Sequence, residues 1–228
     1  MKKPLLLLHG ALGSAAQFND LKQGLSAERA LFVHDFPGHG GQNTDTEFSI
    51  SRFAASVLAF LEKNNLGAVD IFGYSMGGYV ALWLARNHPD RVGRIVTLGT
   101  KLAWSPETAA RETAMLNPEK ISAKVPVFAQ LLADRHTPAD WQVVVRQTAG
   151  LLHDLGNGAA LVEADYRAID CPVVIGLGEA DNMVSREESE QVANWLPNGR
   201  LEVLPGMKHP FEQVDQKMLA TWLQKCLA

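Results

Sequence analysis

A serine, a histidine and an aspartate, each just beyond a short apolar run, are the residues of this chain best suited to covalent chemistry. Ser75 stands in Gly73-Tyr74-Ser75-Met76-Gly77, after the apolar run Val69–Phe72 and before a helix-like run from Met76 to Asn87. A serine on a sharp strand-to-helix turn takes a strained backbone, and small neighbours two residues away let the chains pass. The amino terminus of the following helix favours developing negative charge. A hydroxyl is a weak nucleophile and needs a base. Of the seven histidines, His209 combines a loop after the last apolar run, Pro205-Gly206-Met207-Lys208-His209-Pro210, with the chain order Ser, Asp, His. His9, His34 and His39 lie in or beside the early strands and turns, and His88 ends a helix. His136 and His153 read as surface histidines of a long helical stretch.

A histidine that gains a proton needs an anion to orient it and to stabilise the imidazolium. Asp181, in Gly178-Glu179-Ala180-Asp181 after the run Val173–Leu177, is the candidate; Glu179 is its rival but follows the strand so closely that it is expected to point away. The loop Gly99-Thr100-Lys101-Leu102 offers no carboxylate. The glycine-rich turn His9-Gly10-Ala11-Leu12-Gly13 can aim a backbone N–H into the same place. The N–H groups of Ala11 and Met76 would then bind the charge that develops on a carbonyl oxygen, each worth a few kcal/mol.

These loops need a scaffold. Apolar runs at Pro4–Leu8, Ala30–His34, Val69–Phe72, Ile95–Leu98, Val173–Leu177 and Leu201–Leu204 read as strands buried on both faces. Helix-like runs lie at Ser51–Lys63, Met76–Asn87, Glu187–Leu196 and Gln213–Leu227. The alternation predicts a mainly parallel sheet of about six strands covered on both faces. It breaks once. From 101 to 168 no strand is evident, and Pro106, Pro118, Pro126 and Pro138 punctuate helical runs. This predicts a helical insertion, with residues 1–100 and 169–228 as the core.

Composition limits the partners. The 228 residues are 46% hydrophobic and 20% charged, as in ordinary globular proteins, and the net charge is −4. No basic excess exists to hold a nucleic-acid backbone. No apolar run approaches the roughly 18 residues of a membrane helix. Met1-Lys2-Lys3 and the four leucines after Pro4 resemble the start of a secretory signal, but the apolar stretch is shorter than the usual 7–15 residues. It reads as the first strand, and the expected location is the cytoplasm. Cys171 and Cys226 lack a CxxC spacing, no histidine pair has the helical i, i+4 spacing of a zinc site, and no P-loop occurs. Gly176-x-Gly178-x-x-Asp181 only superficially resembles a dinucleotide fingerprint. No metal and no cofactor is expected; the expected partner is a small-molecule substrate, and the expected state a monomer or homodimer.

Taken together, HGALG, DFPGHG, GYSMGG, GEAD and GMKHP resemble the α/β-hydrolase superfamily in residue type and in order over nearly the whole chain. The resemblance implies an α/β-hydrolase fold with Ser75 as nucleophile, Asp181 as acid, His209 as base, and Ala11 and Met76 as oxyanion donors. It implies a helical lid at 101–168. Relatives often carry an antiparallel hairpin before the HG strand; with eight residues ahead of His9, those strands are expected to be missing. The implied activity is hydrolysis of a small ester, lactone or thioester through an acyl-enzyme. A lyase or carbon–carbon bond hydrolase using the same residues, and a non-catalytic ligand-binding member, are the alternatives. Leu12, Trp104, Phe128, Leu132, Trp141, Met183 and Phe211 are expected to wall the pocket. Lys101, Arg111, Arg135 and Arg146 are candidates to meet a substrate carboxylate, most of them expected to be solvated instead.

Overall fold

The computed structural model describes residues 2–25, 29–44 and 46–228. In chain order the elements are β1 (Leu5–Leu8), α1 (Asn19–Gly24), β2 (Leu31–His34), α2 (Ile50–Lys63), β3 (Val69–Tyr74), α3 (Met76–Asn87), β4 (Val92–Leu98), α4 (Pro106–Thr113), α5 (Pro118–Lys124), α6 (Pro126–His136), α7 (Trp141–Asp154), α8 (Glu163–Arg167), β5 (Val173–Gly178), α9 (Arg186–Trp195), β6 (Gly199–Leu204) and α10 (Gln216–Cys226). The six strands form one sheet in the order β2-β1-β3-β4-β5-β6, and every pairing is parallel.

Side chains of a strand alternate between the two faces. Here both faces are covered, which is why β1 reads as four leucines rather than an alternating pattern. Leu6, Leu8, Val69 and Ile71 join a core with α2, α3 and the helices after β4. Leu5, Leu7, Phe72 and Tyr74 join a second core with α10 on the opposite face. α3 is buried over most of its length because it lies against the centre of the sheet. α2 is amphipathic; Ile50, Phe53, Ala54, Val57 and Leu61 face the core, and Ser49 caps its start by accepting from the Arg52 N–H.

Element edges differ from the sequence reading where caps and hydrogen bonds decide them. β3 continues past Phe72 to Tyr74, and β4 begins at Val92 rather than Ile95. α10 starts at Gln216, because Asp215 accepts from the N–H groups of Lys217 and Met218; Gln213 belongs to a short 3₁₀ turn. Ser185 and Glu188 form a capping box that starts α9 at Arg186. Between β4 and β5 run five helices, α4 to α8, with no strand.

In a wholly parallel sheet the carboxyl ends of all strands lie at one edge, where ligands of open α/β sheets bind. The loops after β1, β3, β4, β5 and β6 carry Ala11, Ser75, Gly99, Asp181 and His209 to that edge. Among the described residues, no helix is long and apolar enough to cross a membrane.

Candidate active site

Ser75 occupies the turn between β3 and α3 with φ 50° and ψ −119°, a left-handed conformation costly for a residue with a side chain. Its neighbours hold it there. The Ser75 N–H donates to the Leu98 carbonyl at 2.8 Å, and the Thr100 hydroxyl donates to the Ser75 carbonyl at 2.9 Å. α3 passes so close to β1 that a Cβ on Gly77 would run into the Leu8 carbonyl. The serine is therefore fixed by both adjoining strands, and its side chain remains partly exposed.

His209 and Asp181 meet at this edge. His209 Nδ1 lies 2.7 Å from Asp181 Oδ2, and both side chains are nearly buried. The second carboxylate oxygen, Oδ1, accepts from the N–H groups of Met183 and Val184 at 2.8 and 3.0 Å. Burial disfavours a charge on Asp181. The hydrogen bond and charge of His209, with the two backbone donors, outweigh it and hold the carboxyl below its usual range. The His209 loop is pinned by Tyr74, whose hydroxyl donates to the His209 carbonyl at 2.6 Å. Burial pushes the Tyr74 pKa up, so it stays protonated as a donor. Glu179 turns away, as expected, and accepts from the Gly206 N–H at 2.9 Å.

Two cavities open beside Ser75. A smaller one of about 90 Å³ is lined by Ala11, Ile50, Met76, Tyr79, Trp104 and Leu155, among others. A larger one of about 490 Å³ is walled by Leu12, Met115, Leu116, Phe128, Leu131 and Phe211. Ser75, His209, Ala11 and Met183 line both. Met115, Phe128, Leu131 and Met183 keep 37–65% of their surface exposed, so the larger cavity has an apolar rim.

Of the residues expected to wall a pocket, Leu12, Trp104, Phe128, Met183 and Phe211 line one or both cavities. Trp141 and Leu132 are corrections. Trp141 begins α7 and packs against the main core, lining neither cavity; Leu132 is fully buried in that core, while its neighbour Leu131 turns to the cavity. A 3.6-residue period puts adjacent helix positions on different faces, and the sequence could not say which face met the sheet edge. His136 is also a correction. It is fully buried rather than at the surface, whereas His153 is exposed. The cationic candidates divide likewise. Arg111 and Arg146 are largely exposed, but Lys101 and Arg135 are nearly buried and paired with Glu188 and Glu212.

Two features of the site, Gly99 and Glu112, were missed by the sequence reading, and Arg135, expected to meet a substrate or solvent, meets protein groups instead. Gly99, φ 61°, ends β4 against the histidine; a Cβ there would lie 3.2 Å from both Asp181 Oδ2 and His209 Nδ1. Glu112, on α4, lines both cavities. Arg135, on α6, donates to the Leu12 carbonyl at 2.8 Å and to Glu212 at 2.6 Å, joining the Ala11 loop to the His209 loop. The empty carboxylate position after β4 was a signal for Gly99. Glu112 lies within a helix of unknown packing and gave none. Among the described residues, no group of three or more His, Cys, Asp or Glu side chains is placed to hold a metal ion.

The sequence model of the alpha/beta hydrolase fold matches residues 3–142. The chain is 29% identical to the pimeloyl-[acyl-carrier protein] methyl ester esterase of Edwardsiella ictaluri (strain 93-146) over 92% of this chain and 88% of that one. It is 30% identical to the enzyme of the same name from Neisseria meningitidis serogroup C, with the same coverages. Among solved structures, NosK from Streptomyces actuosus superposes with a TM-score of 0.83 at 22% identity, over 99% of this chain and 97% of that one. Fold, strand order and sequence agree: the chain belongs to the α/β-hydrolase fold family.

Proposed function

We propose that the protein hydrolyses a small-molecule carboxylic ester, or a related lactone or thioester, through an acyl-enzyme on Ser75. The strained Ser75 backbone at an edge where His209 is locked to Asp181 at 2.7 Å is the observation that carries this reading. His209 takes the Ser75 proton as Oγ attacks the carbonyl, and then gives it to the departing alcohol. Asp181 orients the ring and stabilises the imidazolium. The N–H of Met76, at the first position of α3, has no partner within its helix, and with that of Ala11 it would hold the oxyanion. Water activated by His209 then attacks the acyl-enzyme, forming the acid and freeing Ser75.

In this reading residues 101–168 form a lid over the sheet edge, with 1–100 and 169–228 as the catalytic core. Trp104, Glu112, Met115, Leu116, Phe128, Leu131 and Arg135, all from that segment, line the cavities and support the assignment. The two relatives named as methyl ester esterases support the reaction class. A lyase or carbon–carbon bond hydrolase would use the same side chains. A purely ligand-binding protein has no need of a strained serine beside a histidine–carboxylate pair.

The test is hydrolysis of short-chain p-nitrophenyl esters and labelling by a fluorophosphonate probe. Wild type is expected to do both, and Ser75→Ala neither. Undiminished hydrolysis by a folded Ser75→Ala protein sinks the nucleophile assignment. A folded wild type that neither turns over esters nor takes the probe sinks the whole reading.

A further inference from the structure

Charge in the cavity walls is distributed unevenly. The two cavities share one acidic residue, Glu112. Its side chain is only 11% exposed, and its ion pair is with the adjacent Arg111 at 3.4 Å, a side chain 67% exposed to solvent. A pair of that kind is screened by water and neutralises little. The cations in the walls are committed to other groups. Lys101 lies 3.3 Å from Glu188 and donates to the Met183 carbonyl. Arg135 lies 2.6 Å from Glu212 and donates to the Leu12 carbonyl. A substrate carboxylate thus meets cations that already hold carboxylates, and one carboxylate that lacks a buried cation.

We infer that Glu112 is a specificity-determining residue that restricts the site to acyl groups without negative charge. The inference rests on the ester hydrolysis proposed above and names its substrate class. Because Glu112 lines both cavities, an acyl chain passes it whichever cavity it enters. Two like charges about 6 Å apart, at the effective dielectric constant of about 20 that suits protein sites, repel enough for a discrimination of roughly 10- to 100-fold. The same repulsion acts on the product. Hydrolysis converts a neutral ester into a carboxylate within cavities that Glu112 lines, which favours its release and keeps product inhibition weak.

The experiment compares two p-nitrophenyl esters of equal length, one of adipamic acid with a terminal amide and one of adipic acid with a terminal carboxylate. Both ends are polar, so the comparison isolates charge. Wild type is expected to favour the amide ester by about 10-fold or more in kcat/KM, and 1 M NaCl should shrink that ratio. The isosteric variant Glu112→Gln should bring the ratio to within about threefold of unity and strengthen inhibition by hexanoate about tenfold. The ratio is internal to each protein, so a change in active fraction does not affect it. A ratio near unity in wild type, or one that persists in Glu112→Gln, overturns the inference. If neither ester is turned over, the ester reading falls by itself. Calorimetric binding of the same two esters to Ser75→Ala then decides the charge preference by the same ratio.

Discussion

His209 and the histidines behind the Ala11 loop are all sheltered from solvent, yet their surroundings give them opposite capacities. His209 holds Asp181 at 2.7 Å and opens on both cavities. His9, His39 and His136 are fully buried and form a chain of rings, with centroids 5.0 Å apart for the first pair and 5.6 Å for the second. Their hydrogen bonds are to backbone groups, and the Asp35 carboxylate stands 3.9 Å from His9 Nε2, beyond hydrogen-bond reach. His9 Nδ1 lies 2.8 Å from the Gly10 carbonyl and Nε2 accepts from the Phe36 N–H; His136 accepts from the Gly40 N–H and pairs with the Leu12 carbonyl. Burial first, and neighbouring rings or Arg135 after it, drive their pKa values down: His9 well below normal, His39 to about 3 and His136 to about 4. A buried histidine beside a carboxylate can accept a proton during a reaction. One sealed among carbonyls and other histidines is a neutral brace.

The largest test of this contrast is His209→Ala. Loss of the proposed base is expected to lower esterase kcat/KM by about 10⁴-fold or more while thermal unfolding shifts little. Asp181→Asn should follow with about 10³- to 10⁴-fold, because the ring loses its orienting anion but keeps a neighbour of the same shape. If Asp181→Asn costs less than tenfold, Asp181 does not serve the histidine and the contrast with the buried rings collapses.

The buried rings make the opposite prediction, in stability rather than rate. His9, His39 and His136, and the half-buried His34 bonded to the Ser56 hydroxyl, have folded pKa values below the ordinary 6.5 that they regain on unfolding. Below pH 6.5 the unfolded chain therefore binds more protons, and stability falls as pH drops toward about 4. Above 6.5 the contribution is fully present. Each ring adds about 1 kcal/mol per pH unit in that window. The urea midpoint should decline steadily from pH 6.5 to 4.5, and His39→Phe, whose ring can keep the stacking on Phe48 at 5.0 Å, should flatten the slope by about a quarter. A midpoint flat across this window contradicts the assignment of these rings as neutral braces.

How much of this could be read from residues alone depended on locality. The β-strand runs are local patterns and form the expected parallel sheet; Ser75, Asp181 and His209, also read from local patterns, lie on loops at one edge of it. The parallel pairing followed from alternation of strand and helix. What was not legible was long-range. His136 reads as one more polar residue at the end of α6, and its burial depends on packing against the Leu12 loop, 124 positions away in sequence. Trp141, Leu132 and Glu112 depend likewise on how five helices settle over the sheet. A period of 3.6 gives each helix a face but not a neighbour.

His136→Ala tests how far the brace reaches into the chemistry. Its ring accepts from the Gly40 N–H at 3.2 Å and pairs with the Leu12 carbonyl at 3.2 Å. Removing it deletes two hydrogen bonds of a fully buried ring and leaves a cavity, about 2–4 kcal/mol together. For a chain of this size the unfolding temperature should fall by roughly 5–10 °C. The effect on rate is expected to be the smallest, below about tenfold, since Arg135 still donates to the Leu12 carbonyl at 2.8 Å and still ties that loop to Glu212. Removing both donors should therefore cost more in kcat than the two single losses combined. Leu12 holds a left-handed φ of 57° one residue after Ala11, and no other side chain donates to its carbonyl among the described residues. If the double variant instead loses only stability, the Ala11 loop keeps its shape without the α6 side chains, and the brace and the proposed oxyanion site are independent parts of the molecule.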